Sequence, residues 1–185
     1  MLRIHLFGLP HLTVDGEPLK FAARPRSWPL LGYLLLHQQQ AVPREPVAFA
    51  LWPDDTEEEA RANLRRHLNE IQKNLPPEPL GRPWIVTEGA TIRFNPNAEY
   101  WLDIAEFERL GGARDTLAAA ADLYTGDLLE NVADEWIYAE RERFRSAYLT
   151  MLGQLIQARR GGSSRPTSGR QPKRPKRHRH PSPVS

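Results

Sequence analysis

Arg65, Arg66, Asn69 and Lys73 fall within one short stretch of the chain, and side chains of these types at helical spacing can read a nucleic acid. Either arginine can donate a bidentate pair of hydrogen bonds to guanine or grip a phosphate, Asn69 can bond an adenine edge, and Lys73 can neutralise a phosphate near the groove edge. The same stretch carries Leu64, Leu68, Ile71 and Leu75 at spacings of 4, 3 and 4, which places them on one narrow stripe of a helix. Ala62, Arg66, Asn69 and Lys73 then lie opposite that stripe, with Asn63 and Arg65 on its flanks. The plainer alternative is a solvated amphipathic helix, the commonest fate of such a pattern. Arg24 and Arg26, upstream, and Arg93, downstream, are further candidates for phosphate contacts.

Other chemistries find little support. The chain of 185 residues has no cysteine, which excludes disulfides, a thiol nucleophile and a cysteine zinc site. His178 and His180 lack companion ligands, so no metal is expected, and His67 is expected to flank the core stripe. Gly111-Gly112 and Gly161-Gly162 lack the lysine and following helix of a phosphate loop, and no serine, histidine and aspartate pattern matches a nucleophile elbow. The expectation is a protein without catalysis and without a cofactor. Trp52, Trp101 and Trp136 sit beside helix ends or starts, where packing accounts for them better than base stacking.

The elements that must position the basic face follow from turn and capping signals. Residues 2 to 7, 11 to 14 and 18 to 22 read as three strands of an antiparallel sheet, with Asp15-Gly16 turning between the last two. Trp28 to His37 reads as a leucine-rich buried helix, and Pro43 to Trp52 as a shorter one stopped by Pro53. Thr56 and Glu59 form a capping box that starts the helix of the basic face, and Pro76, Pro77, Pro79 and Gly81 end it. Trp84 to Thr87 and Thr91 to Phe94 then make a hairpin around Glu88-Gly89-Ala90. Strands, two helices, a capped basic helix and a hairpin follow the order of a winged helix-turn-helix, whose third helix enters the major groove and whose wing touches backbone. Beyond Asn95-Pro96-Asn97, Asp103 with Glu106 reads as a second capping box. It opens a helical half that continues through Asp115 to Tyr124 and Glu135 to Gln157.

The net charge of +2 hides an asymmetry. Residues 159 to 185 hold nine Lys and Arg and no acid, which leaves 1 to 158 with 16 basic and 23 acidic residues. Most of the acid excess lies beyond Ala98. The near balance before Ala98 means that binding to DNA requires the basic residues to cluster on one face. The run from Arg159 has Val184 as its only apolar residue and is expected to be a disordered basic tail. The N-terminal residues, interrupted by Pro10 and His11, offer neither a signal peptide nor a membrane span, so the expected setting is the cytoplasm and its nucleoid.

The stretches Leu-Arg-Ile-His-Leu-Phe-Gly at 2 to 8, Leu-Trp-Pro-Asp at 51 to 54 and Ala-Arg-Ala-Asn-Leu-Arg-Arg-His-Leu at 60 to 68 resemble the Streptomyces antibiotic regulatory protein (SARP) type of transcriptional activator. Downstream, Asp103-Ile-Ala-Glu-Phe-Glu, Leu123-Tyr-Thr-Gly-Asp-Leu-Leu-Glu and Glu135-Trp-Ile-Tyr-Ala-Glu-Arg-Glu-Arg-Phe-Arg look like the opening helices of the bacterial transcriptional activator domain. The resemblance covers about residues 2 to 158. It implies an α+β chain: a winged helix over 1 to 96, and tetratricopeptide-like helices of a shortened activator domain over 97 to 158. Its implied partners are double-stranded DNA, bound at promoter direct repeats, and RNA polymerase holoenzyme, with room for a homo-oligomer on DNA. By that analogy residues 60 to 75 form the recognition helix. Two alternatives stand beside this. One is an interaction module in which the acidic helical half binds a protein and the winged helix is only a scaffold. The other is a shortened regulator that binds DNA without activating. For the tail, a selected basic arm competes with a missense run from a shifted reading frame.

Overall fold

Leu2 and Ile4 are buried while Arg3 between them is exposed, the alternation of a strand with one face on a core. The computed structural model describes residues 1–162. Strand β1 (Leu2–His5) pairs antiparallel with β2 (His11–Val14), which pairs antiparallel with β3 (Glu17–Leu19). Asp15 and Gly16 join β2 to β3 with φ of 51° and 90°, the left-handed pair that a two-residue hairpin turn requires. Helix α1 (Ser27–Leu36) buries Leu30, Leu31, Leu34 and Leu35, and Pro29 sits in its first turn, where the missing N–H leaves no bond unmade. A two-residue strand β4 (Val42–Pro43) leads into α2 (Arg44–Leu51), with Pro43 at its N-cap.

Helix α3 (Glu57–Asn74) starts at the expected capping box. The Thr56 hydroxyl accepts from the Glu59 N–H at 3.4 Å, and the Glu59 carboxylate accepts from the Thr56 N–H at 3.0 Å. The Thr56 hydroxyl, which also donates to the Glu59 carboxylate at 2.7 Å, and then the Thr56 N–H hold that carboxyl below its ordinary pKa. Leu64, Leu68, Ile71 and Leu75 are all buried, as the spacing predicts. His67 is buried too. Its Nδ1 lies 3.0 Å from the Ser27 hydroxyl on α1, and burial, followed by the charges of Arg24 and Arg66, lowers its pKa. Strands β5 (Ile85–Glu88) and β6 (Thr91–Phe94) form the hairpin, with Gly89 at φ 57° in its loop, and β6 also pairs with β4. The resulting three-stranded sheet has the order β4-β6-β5.

The N-terminal sheet has one strand more than the sequence pattern suggests. Strand β7 (Tyr100–Leu102) lies parallel to β1, giving the order β3-β2-β1-β7, so residues on both sides of the boundary expected at 96/97 build one sheet. Trp101 pairs with Arg3 in this register and shares its outward face, with the Arg3 guanidinium 5.1 Å from the indole. The expectation of a core Trp101 is thereby corrected, whereas Trp52 is buried. Helices α4 (Asp103–Gly111), α5 (Leu117–Leu123) and α6 (Glu135–Gly162) complete the described residues. Helix α6 continues past 158. The remaining tail from 163 to 185, with His178 and His180, lies outside the described residues.

Asp103 does not cap α4. Leu102 is the N-cap, without a side-chain bond, and the Asp103 carboxylate turns into the core. There Oδ2 accepts from the N–H groups of Leu6 at 2.8 Å and Phe7 at 2.9 Å, while Oδ1 accepts from Ile104 at 2.7 Å. Glu106, the other half of the expected box, pairs instead with Arg109. Tertiary donors at the end of β1 outcompete the local cap because buried N–H groups must find an acceptor. Phe7 extends this joint, stacking edge-on against Phe107 at 5.2 Å and Phe144 at 5.3 Å.

Candidate nucleic-acid interface

Anchoring the leucine stripe of α3 leaves its opposite side in solvent. Arg65, Arg66, Asn69 and Lys73 are all exposed, and Ala62 is half-buried among them. Asn69 and Lys73 make no hydrogen bond or ion pair among the described residues. Arg66 makes only a 3.3 Å bond from its Nη1 to the Asn63 Oδ1. Asn63 is less free, since its Nδ2 donates to the Asp55 carboxylate at 2.7 Å and the residue is half-buried. The arrangement can offer two guanidiniums, an amide and an ammonium to a duplex with little internal competition.

The hairpin stands beside this face. Gln72 Oε1 accepts from the Ile85 N–H at 3.1 Å, which ties α3 to the base of β5. At the far end the Arg44 N–H donates to the Ala90 carbonyl at 2.9 Å, which ties the loop to the start of α2. Between α3, the start of α2 and the hairpin loop lies an open groove of about 550 Å³, with Arg44, Arg61 and Arg65 on its walls beside Pro43 and Gly89. Arg44 and Arg61 were not singled out from the sequence. The i,i+4 spacing of Glu57 and Arg61 was the available signal, and the two do pair, with Glu45 joining Arg61 at 3.2 Å.

The three outlying arginines fall in different surroundings. Arg24 is exposed ahead of α1 and makes no ion pair among the described residues. Arg93 on β6 is half-buried, reaches Glu88 at 3.4 Å, and has a buried Nε with no hydrogen-bond partner among the described residues. Arg26 is turned toward the helical half. Its Nη1 bonds Asp134 at 2.6 Å and its guanidinium lies 5.8 Å from the Trp52 ring. Asp134 also accepts from the Trp136 indole N–H at 3.1 Å, and Trp136 meets Tyr33 of α1 at 5.2 Å. Arg26 thus serves as a brace between the two halves of the chain, a role that a count of basic residues does not reveal.

Among the described residues no group of three or more histidine, cysteine, aspartate or glutamate side chains could hold a metal ion. Nor is any described helix long and apolar enough to cross a membrane.

Residues 93–165 match the bacterial transcriptional activator domain. The chain is 29% identical over 136 residues to the regulatory protein AfsR of Streptomyces coelicolor, an alignment that takes in 73% of this chain and 13% of that protein. Its fold is similar to that of Mycobacterium tuberculosis EmbR, solved in complex with a low affinity phosphopeptide. The TM-score is 0.64 at 18% identity, over 81% of this chain and 43% of the EmbR chain. The activator-domain match, the similarity to a regulatory protein and the similar fold agree with the SARP-type resemblance of the sequence motifs.

Proposed function

We propose that the chain binds promoter DNA in a sequence-specific way, laying α3 in the major groove with the β5–β6 hairpin against the backbone, and that its helical half contacts RNA polymerase holoenzyme. The observation that carries this proposal is the outward face of α3, where Arg65, Arg66, Asn69 and Lys73 stand exposed beside the groove under the hairpin loop. Arg66 and Asn69 carry the direct base readout, Arg65 serves base or phosphate, and Lys73 in the last turn serves the backbone. Arg24 and Arg93 add phosphate contacts at the edges, Asn63 orients Arg66, and Arg26 acts through the brace to Asp134. Direct repeats as targets, self-association on them and a nucleoid location extend the proposal from the family resemblance. No catalytic step is assigned.

Selection of bound sites from random duplex tests this. Wild type is expected to enrich a short motif, and Arg66→Ala with Asn69→Ala to lose discrimination by about 1–3 kcal/mol for each bidentate contact removed. Lys73→Ala is expected to weaken all sequences alike and to flatten the salt dependence by about one phosphate. A wild type that enriches no motif, yet retains a protein partner through its helical half, would replace this function with that of an interaction module.

A further inference from the structure

Three glutamates, Glu57, Glu58 and Glu59, open a helix that is proposed to enter the groove of a polyanion. Two of them are occupied within the protein. Glu57 pairs with Arg61, and Glu59 turns back into the capping box with Thr56. Glu58 makes no hydrogen bond or ion pair among the described residues and is exposed. It also lies in register with the basic face. Glu58, Ala62, Arg65 and Asn69 follow one another at spacings of 4, 3 and 4, the spacing of the buried Leu64, Leu68, Ile71 and Leu75, but on the solvent side.

A first-turn acid interacts favourably with the helix dipole, and that accounts for some acidic charge at this end. It does not account for an unpaired carboxylate on the strip that faces the ligand, since Glu57 and Glu59 already supply the charge. Near phosphates such a group is repelled, and it lowers affinity for DNA in general. A cytosine N4 amino group, aimed into the major groove, is a donor that relieves this cost only when the right base is present. Recognition helices use their N-terminal residues for base edges, which is where Glu58 stands.

Resting on the major-groove placement of α3, we infer that Glu58 is a specificity-determining residue that accepts a hydrogen bond from a cytosine N4 amino group and disfavours duplexes lacking that base. Glu58 to Asn69 spans about 16 Å of helix, the rise of about five base pairs. The cytosine therefore lies at one end of the recognised motif, and the base read by Asn69 lies toward the other.

The test is selection of bound sites from random duplex with the full chain, comparing wild type, Glu58→Ala and Glu58→Gln, with thermal melts confirming that each variant is folded. Glu58→Ala is expected to lose the preference for cytosine at one end position by roughly tenfold, to keep the preferences elsewhere, and to bind random duplex more tightly than wild type. Glu58→Gln is expected to shift that same position toward adenine, because the amide pairs with its N6 and N7. An unchanged motif in Glu58→Ala, or an even flattening at every position, would overturn the role of Glu58 while leaving the DNA interface standing. A wild type without any motif would remove the interface itself, and the role of Glu58 with it.

Discussion

Replacing Asp103 by asparagine probes the joint that fastens the helical half to the N-terminal sheet. The carboxylate is buried and accepts three backbone N–H bonds, two from the end of β1 and one from the start of α4. Burial is the largest influence on it and outweighs those bonds, pushing its pKa from 3.8 up to about 6. A folded value above the unfolded one means that the protonated form is favoured by folding. The stabilisation is full below about pH 4 and is lost as pH rises through about 6, and the gap corresponds to about 3 kcal/mol. Other carboxylates act in the opposite sense. Glu78 is held at about 2, chiefly by its bonds from Arg82, so it adds stability as pH rises above its own range. Subtracting the Asp103→Asn variant from wild type cancels these and isolates Asp103. Urea unfolding followed by tryptophan fluorescence, at pH steps from 4 to 7.5, is expected to show the advantage of wild type over Asp103→Asn shrinking by about 3 kcal/mol. Asp103→Ala at pH 4 is expected to cost about 3 kcal/mol or more, because it strands buried N–H groups at about 1–3 kcal/mol each. An advantage of wild type that grows with pH would show that the three N–H bonds, and not burial, set the ionisation, and would refute the reasoning.

Two further outcomes concern the placement of α3 and its link to the helical half. Thr56→Ala removes the capping box and is expected to cost about 0.5–2 kcal/mol in the same unfolding assay, with Thr56→Ser largely sparing it. A double-mutant cycle on Arg26 and Asp134, partly exposed at 39% and 15%, is expected to give a coupling of roughly 0.5–1 kcal/mol that declines with salt.

The helix and hairpin that frame the candidate interface are legible because their signals are local. The 4, 3, 4 leucine spacing alone determines which way α3 turns, and Thr56 with Glu59 sets where it begins; both are visible without a partner segment. The hairpin was legible for the same reason, from Gly89 between alternating strands. Strand β7 was not, since Tyr100 to Leu102 is too short to show a period and its partner β1 lies far away in sequence. Asp103 followed three residues later by Glu106 has the form of a capping box, yet nothing local announces that the N–H groups of Leu6 and Phe7 will claim the carboxylate. Arg26 carries the same charge whether it meets a phosphate or Asp134, and only the folded chain separates the two. A turn does lie near 96/97, and β7 beyond it returns to the first sheet, a long-range pairing that no local signal at that turn announces.

The placement of α3 against base edges is tested most directly by methylation interference on the selected duplex, comparing wild type with Arg66→Ala. Methylating guanine N7 blocks an acceptor that only a major-groove ligand touches. Wild-type binding is predicted to be lost when particular guanines in the motif carry the methyl group, and Arg66→Ala is predicted to become indifferent to one of them. Binding that tolerates methylation at every guanine, or an identical interference pattern in wild type and Arg66→Ala, would contradict the placement.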